Sequence, residues 1–302
     1  MLSNRKTILT CGDSFTFGSE IINPILSAGK PEPYKLEPMI NGLADFSQEN
    51  DEYRIPRIWP TYLGELSKRE VINIAKPSIS NQWIYHSTME WILKNYIQEN
   101  KPTEDLIVIV GWTSILRKEF FFNGEDNTYE KTLNVNGDFK LENKDLQEFF
   151  KYYVLTTDFD TQGAYDLVNY TFNLLNFCQS NNIKCYFFNA LPEEHHTYQL
   201  ERFHKDLNVL KHIENFKYVT RCWSRDMYAE SLIKWKSIPS STFIQKDCTL
   251  NSFSNYIKAL PIEERLHGIH PSPKAHKLWA DVMYDFIFNK NTNAYTPNLK
   301  LI

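Results

Sequence analysis

Residues 7–18 read TILTCGDSFTFG, an apolar run followed at once by a turn that contains glycine. The first five residues are rich in β-formers and predict a buried strand that ends at Gly12. Ligands of α/β proteins bind at the carboxyl ends of parallel strands, so this turn would bring Ser14 to the binding edge of a sheet. Gly-Asp-Ser is also a common turn tripeptide, and the motif alone does not establish a site.

The segments that follow continue this pattern as an alternation of strands and helices. Uninterrupted apolar runs are typical of parallel strands that are buried on both faces. Predicted strands cover 71–75 (VINIA), 106–111 (LIVIVG) and 184–190 (KCYFFNA), and helical periodicity covers 61–68, 81–98, 162–181 and 273–288. Strands that alternate with helices predict an α/β fold with a parallel central sheet covered on both sides.

The remaining stretches are predicted to be loops or insertions. Residues 19–60 contain six prolines and are expected to form a loop that covers the site. Residues 112–160 break the rhythm of strands and helices, and Asn136-Gly137 within them is a strong hairpin signal. We therefore expect one domain over residues 1–290 with an inserted hairpin region at about 112–160, followed by a tail over 291–302.

The composition excludes several classes of function. The 302 residues carry a formal net charge of -4 at a sequence pI near 6.1, which provides no basic field for binding nucleic acid. No apolar run reaches the length of a membrane span and the first residues lack a signal-peptide core, so we expect a chain that is cytoplasmic at synthesis. The five cysteines have no Cys-x-x-Cys spacing, and the sequence signals neither a metal site nor another cofactor.

A histidine motif near the end of the chain supplies a chemical partner for Ser14. The motif HGIHPSPKAH, residues 267–276, places His270 on a loop immediately before the last predicted helix. A serine hydroxyl is a weak nucleophile and needs a base within hydrogen-bond reach to accept its proton. Ser14 and His270 are therefore the candidate nucleophile and general base.

These motifs resemble the conserved blocks of the SGNH/GDSL hydrolase family, in the order of that family. GDSFTFG resembles the first block, NIAKPSISN (73–81) the second, VGWTS (110–114) the third, and the His-Pro pair the last. The resemblance implies a three-layer α/β/α flavodoxin-like fold and a serine hydrolase without a cofactor. It also implies an oxyanion hole in the first three blocks, and we expect Asp13 and Trp112 beside the substrate.

Two departures from the family pattern fall on the implied oxyanion hole. Ser78 stands where a glycine is usual, which keeps the backbone N–H but loses the conformational freedom of glycine. Thr113 stands where an asparagine is usual, and its hydroxyl is a donor on a shorter arm. Loss of one oxyanion donor costs about 3 kcal/mol of transition-state stabilisation. Ser114 is the substitute candidate for this donor.

A third departure concerns the acid that orients the base. The family has an aspartate three residues before the histidine, and this chain has His267 there. A neutral imidazole cannot act as an anionic orienter, and loss of the acid lowers turnover by about four orders of magnitude. Glu263, Glu264 or a backbone carbonyl are the alternatives for orienting His270, and the sequence leaves them open.

The leading hypothesis is an esterase that removes O-acetyl or other short acyl groups from carbohydrate. The run WTS-x-x-R-x-E (112–119) also resembles, more weakly, SGNH-like proteins encoded by tailed phages. The departures favour an alternative, a catalytically weakened SGNH-fold protein that binds glycans or forms a structural part of a virion; an acyltransferase or thioesterase is a third hypothesis. The expected partners are a small-molecule or glycan ester and either a virion or a second copy of the chain, with no nucleic acid and no membrane.

Overall fold

The computed structural model describes the four strands predicted from the sequence and helices that pack on them. The described residues are 6–24, 47–123, 128–134, 159–191, 230, 233–244, 252–260 and 270–291. Their elements, in chain order, are β1 (Thr7–Cys11), α1 (Ser14–Phe17), α2 (Gln48–Arg54), a 3-10 turn (Ile55–Arg57), α3 (Trp59–Ser67), β2 (Glu70–Asn73), α4 (Asn81–Ile92), a π-turn (Leu93–Ile97), a 3-10 turn (Thr103–Asp105), β3 (Leu106–Trp112), β4 (Arg117–Asn123), β5 (Thr128–Asn134), α5 (Phe159–Ser180), β6 (Lys184–Asn189), α6 (Phe253–Ala259) and α7 (Pro273–Phe288).

The central sheet of the described residues has four strands in the order β2-β1-β3-β6. β1 pairs in parallel with both β2 and β3, and β3 pairs in parallel with β6. These are the four strands predicted from the apolar runs, each within two residues of its predicted ends. The expectation of an α/β fold with a parallel central sheet is therefore confirmed.

The two inner strands, β1 and β3, are buried along their whole length, and their side chains divide between two hydrophobic clusters. Leu9 and Val108 belong to the cluster that contains residues of α4 and α5. Ile8 and Ile107 belong to the cluster that contains residues of α3, α6 and α7. Each such side chain contributes about 1.5–3 kcal/mol when it is fully buried, so the two clusters fix the strands from both faces.

Part of the stretch 19–60 is helical, although we expected a loop there. Ser47 caps α2 by accepting a hydrogen bond from the N–H of Asn50 at 3.2 Å, and Asp51 lies in the first turn, where a negative charge is favourable. Arg54 at the end of α2 is buried and donates to the backbone carbonyl of Phe17. The helix is thus tied to α1, an interaction that the density of prolines in this stretch does not reveal.

The predicted insertion contains an antiparallel pair of strands. β4 and β5 pair from Arg117 with Asn134 to Asn123 with Thr128. This is the hairpin in the described part of residues 112–160, whereas the predicted hairpin turn at Asn136-Gly137 lies outside the described residues. Within the described ranges, no helix has the length and apolar character that a membrane span requires.

Candidate active site

A one-turn helix presents Ser14 at the carboxyl edge of the sheet. β1 ends two residues before Asp13, which caps α1 by accepting the N–H of Phe15 at 3.0 Å. Gly18 ends α1 with a φ of 85°, a left-handed conformation that glycine adopts without steric cost, and its N–H bonds the carbonyl of Ser14. The turn is therefore closed at both ends by its own sequence, and it holds Ser14 where the strand stops.

The structure brings Ser14 and His270 into contact. Oγ of Ser14 lies 2.9 Å from Nε2 of His270, although the two residues are 256 positions apart. The imidazole of His270 packs against the ring of Phe15, with ring centroids 5.2 Å apart. Ser272, two residues later, caps α7 by accepting the N–H of Ala275, so the start of this helix fixes the position of the histidine. The distance suits proton transfer from a serine hydroxyl to an imidazole.

Glu20 occupies the other side of the same imidazole. Its Oε1 lies 2.9 Å from Nδ1 of His270, and its side chain is only 2% exposed. The carboxylate lies off the N–H direction, so the two groups are in close contact without an aligned hydrogen bond. Glu20 has a φ of 66°, a left-handed conformation that is uncommon for a residue with a side chain. Glu20 is not among the residues predicted from the sequence, because residue 20 falls in the stretch 19–60 that was expected to be a covering loop.

The positions expected to supply the acid lie outside the described residues. These are His267, at the usual family position, and the two alternatives Glu263 and Glu264. The one sequence signal that points to Glu20 is its place in the block GDSFTFGSE, where Gly18 turns the chain back after α1. The N–H groups of Gly18 and Ser19 both donate to the carbonyl of Ser14, so the chain after α1 stays close to the serine.

Asp13 is fully buried, and both of its carboxylate oxygens are occupied. Oδ1 accepts the N–H of Phe15. Oδ2 accepts the hydroxyl of Thr113 at 2.6 Å and lies 3.3 Å from Nη1 of Arg117. This does not fit the expectation that Asp13 lies beside the substrate: the carboxylate joins the turn that holds Ser14 to the segment after β3 and is completely buried.

Thr113 is likewise occupied, contrary to its expected role as an oxyanion donor. Its hydroxyl proton goes to Asp13, and its backbone N–H donates to Oδ1 of Asn81 at 2.8 Å. Its carbonyl accepts Nδ2 of Asn81 at 3.0 Å, so the asparagine side chain clamps both backbone groups. Ser114, the substitute candidate, accepts the N–H of Leu116 at its Oγ. The side chains of Thr113 and Ser114 therefore make hydrogen bonds that hold the loop after β3 in place.

Trp112 also differs from its expected place near the substrate. The residue is completely buried, and its indole stacks on Phe187 with ring centroids 5.9 Å apart and planes 5° apart. It shares its hydrophobic cluster with Val108 and Val110 of the same strand. Residues at i, i+2 and i+4 of a strand share one face, so the alternation along β3 already indicates that Trp112 belongs to the core.

Two backbone donors of the expected oxyanion hole keep their N–H groups uncommitted. Within the described residues, the N–H groups of Ser14 and Ser78 have no hydrogen-bond acceptor. Ser78 is exposed and has a φ of 61°, the left-handed conformation that glycine would adopt most readily. This conformation is strained for a residue with a side chain, and a glycine at the same position would adopt it without that cost.

A second histidine, His276, lies in the core behind the site. Its Nδ1 accepts the N–H of Trp59 at 3.2 Å, and its ring meets that of Phe253. Burial lowers the pKa of His276 to about 3, with smaller contributions from the charges of His270 and Arg54. The imidazole is therefore neutral at physiological pH and acts as an acceptor and a packing group.

Comparison with known proteins adds a family and one structural similarity. The family described as a family of unknown function, DUF6071, matches residues 41–219. This match contains Ser78 and Thr113 but neither Ser14, Glu20 nor His270. No curated protein matches the chain.

Among solved structures, the chain is similar to a candidate lipolytic protein of the G-D-S-L family from Desulfitobacterium hafniense DCB-2. The two chains are 14% identical with a TM-score of 0.37, and the similarity covers 96% of this chain and 99% of the other.

Proposed function

The chain belongs to the DUF6071 family of unknown function, and we propose from the geometry of its site that it is a serine esterase of the SGNH type. The observation that carries the proposal is the contact of 2.9 Å between Oγ of Ser14 and Nε2 of His270. A hydroxyl and an imidazole from opposite ends of the chain lie within hydrogen-bond distance, as nucleophilic catalysis requires. They meet at the edge of the sheet where α/β proteins bind ligands.

The chemistry follows from these contacts. Oγ of Ser14 attacks the acyl carbonyl carbon and forms a C–O bond, while its proton passes to Nε2 of His270 and the carbonyl electron pair moves onto oxygen. The N–H groups of Ser14 and Ser78 are the proposed donors to that oxyanion. Collapse of the tetrahedral intermediate expels the alcohol, which takes the proton from His270. Water then cleaves the acyl-serine by the same steps.

Glu20 is the proposed acid that orients His270, a role for which the sequence left several residues open. A carboxylate 2.9 Å from Nδ1 holds the tautomer of His270 that leaves Nε2 free to accept a proton, and it stabilises the imidazolium that forms. The off-axis contact does not argue against this role, because catalytic hydrogen bonds are often poorly aligned before substrate binds. His267 is then not needed as the acid.

The proposed substrates are O-acetyl or other short acyl esters of carbohydrate. Support for this class comes from the resemblance of the four sequence blocks to the SGNH/GDSL family. The alternative is a catalytically weakened protein, and it rested on three departures from that family. Two of these departures do not weigh against an esterase, because Glu20 lies against His270 and the N–H of Ser78 has no acceptor among the described residues. The remaining departure, at Thr113, favours weaker oxyanion binding over complete inactivity.

The test is hydrolysis of p-nitrophenyl acetate by the wild type, Ser14→Ala and His270→Ala. We expect kcat to fall by at least about 10³-fold in either variant. Ser67→Ala is the matched control, because its hydroxyl bonds only carbonyls of its own helix α3. A fluorophosphonate should add to the wild type at Ser14, as seen by peptide mass spectrometry. Equal rates for the wild type and Ser14→Ala, with no adduct, would overturn the esterase proposal.

A further inference from the structure

We propose that a groove beside Ser14 binds the sugar rings of the ester substrate, by stacking on Trp83 and Trp91. The inference rests on the proposed function and names where the alcohol part of the ester would bind. The groove lies between α4 and the segment that connects β2 to α4, and its volume is about 660 Å³. Small-molecule sites range over roughly 300–1,000 Å³, so the groove has room for a short oligosaccharide.

The groove lies close to the turn that holds Ser14, although neither Ser14 nor His270 lines it: the N–H of Lys76 in its wall donates to the carbonyl of Gly12 at 3.1 Å. Phe17 forms part of its wall and follows Ser14 by three residues on α1, and residues three apart lie on the same face of a helix. The wall continues through residues 73–77, which lead directly to Ser78. An ester whose carbonyl lies between Ser14 and Ser78 would therefore direct its alcohol part into the groove.

Two tryptophans of α4 give the groove an aromatic wall. Trp83, Ser87 and Trp91 line it and follow one another at intervals of four residues, so they form one strip along the helix. Both indoles are half-buried and pack against the hydrophobic cluster that contains residues of α4 and α5, and the ring of Tyr96 lies 5.8 Å from that of Trp91. A flat aromatic surface with a polar N–H suits the apolar face of a sugar ring, which leaves the hydroxyls at the edge of the contact.

The rim of the groove is polar and carries charges of both signs. Lys76 lies over the ring of Trp83 at 4.9 Å, and Lys94 pairs with Glu90 at 2.5 Å. Asn95 adds an amide to the same rim. These groups offer donors and acceptors to hydroxyls, whereas a long acyl chain would strip water from them without replacing their hydrogen bonds. The groove therefore fits a carbohydrate better than a lipid tail.

The first experiment compares two kinds of ester. Trp83→Ala and Trp91→Ala are assayed with p-nitrophenyl acetate and with O-acetylated oligosaccharides of xylose, glucose and galacturonic acid. We expect kcat/KM for the best oligosaccharide to fall about tenfold further than kcat/KM for p-nitrophenyl acetate, since each indole contributes an aromatic contact. Leu93→Ala, an exposed residue directly after α4 that does not line the groove, is the control and should change neither value.

The second experiment separates this inference from the esterase proposal. Binding of the same oligosaccharides is measured by isothermal titration calorimetry on Ser14→Ala, alone and combined with Trp83→Ala or Trp91→Ala. Binding that the tryptophan variants weaken supports the groove even if the wild type hydrolyses no ester. Binding to no oligosaccharide overturns the groove, as does binding that the tryptophan variants leave unchanged. A selective loss of p-nitrophenyl octanoate hydrolysis in these variants would assign the groove to the acyl chain and also overturn it.

Discussion

The carboxylate of Glu20 and the imidazole of His270 approach each other to 2.9 Å, on the side of the ring away from Ser14. The proposed acid and the proposed nucleophile thus come from one short segment, whereas His270 comes from the far end of the chain. The φ of 66° at Glu20 is a conformation that costs about 1–3 kcal/mol for a residue other than glycine. Such strain persists where surrounding packing enforces it, as the burial of Glu20 indicates.

The first prediction tests Glu20 as the group that orients the base. Glu20→Gln keeps the shape of the side chain and removes its charge, so we expect kcat for p-nitrophenyl acetate to fall by about 10²–10⁴-fold with a smaller change in KM. Glu20→Asp should recover part of the loss.

Glu263→Gln and Glu264→Gln are the comparison for this prediction, because the sequence left both residues as alternatives. We expect them to retain the wild-type kcat. If Glu20→Gln turns over at the wild-type rate while one of these variants loses activity, the acid has been assigned to the wrong residue.

The second prediction concerns the ion pair between Asp13, which is fully buried, and Arg117, whose side chain is 17% exposed. Arg117→Met leaves the buried carboxylate of Asp13 without its counter-charge and should lower the free energy of unfolding by about 3 kcal/mol. Asp13→Asn leaves a partly exposed guanidinium that water can reach, and it should cost about 1–3 kcal/mol. The double variant should lose less than the two single losses together, with a coupling of at least about 1 kcal/mol in urea denaturation. Lys118→Met breaks the more exposed pair with Asp166 and should cost no more than about 1 kcal/mol. Additive losses would show that Asp13 and Arg117 do not interact.

The strands and the two central site residues could be predicted from sequence because their signals are local. Uninterrupted apolar runs marked the four strands, and the position of Ser14 followed from the strand that ends before it. The last helix, predicted at 273–288, has those bounds in the structure because Ser272 and Pro273 mark its start. His270 was therefore fixed just before a helix start.

The other site residues depend on how distant segments pack. Asp13 and Thr113 carry groups that suit catalysis, but the hydrogen bond between them forms only when β1 and β3 lie side by side. Glu20 faces an imidazole that arrives with α7, and no pattern near residue 20 encodes that arrival. Trp112 is a different case, because its alternation with Val108 and Val110 along the strand already indicates a place in the core.

The third prediction uses the left-handed backbone of Ser78. This conformation costs an L-residue about 1–2 kcal/mol, and glycine loses about 0.5–1 kcal/mol more entropy on folding, so Ser78→Gly should raise the free energy of unfolding by about 0.5–1 kcal/mol. Activity should stay within about threefold because the backbone N–H is kept. Ser78→Ala is the control and should neither stabilise the protein nor lower kcat. A loss of activity in Ser78→Ala comparable to that in Ser14→Ala would assign the role to the hydroxyl.

The fourth prediction follows from the pKa of about 3 at His276. In the unfolded chain this imidazole binds a proton near pH 6.5, whereas in the folded protein it stays neutral down to about pH 3. The unfolded state therefore binds more protons between these values, and the folded protein loses up to about 1.4 kcal/mol of stability for each pH unit below 6.5. This contribution is fully present above pH 6.5. Urea denaturation at pH 7, 6, 5 and 4.5 measures the slope.

His276→Asn removes the titrating group and keeps an oxygen that can accept the N–H of Trp59. At pH 7 this variant should be less stable than the wild type, because the ring contact with Phe253 is lost. On acidification it should lose stability less steeply, so that the two curves converge toward low pH. The difference in slope should approach 1 kcal/mol per pH unit between pH 6 and pH 4.5. Parallel curves would mean that another group binds the proton, since a neutral buried imidazole at position 276 requires the curves to converge.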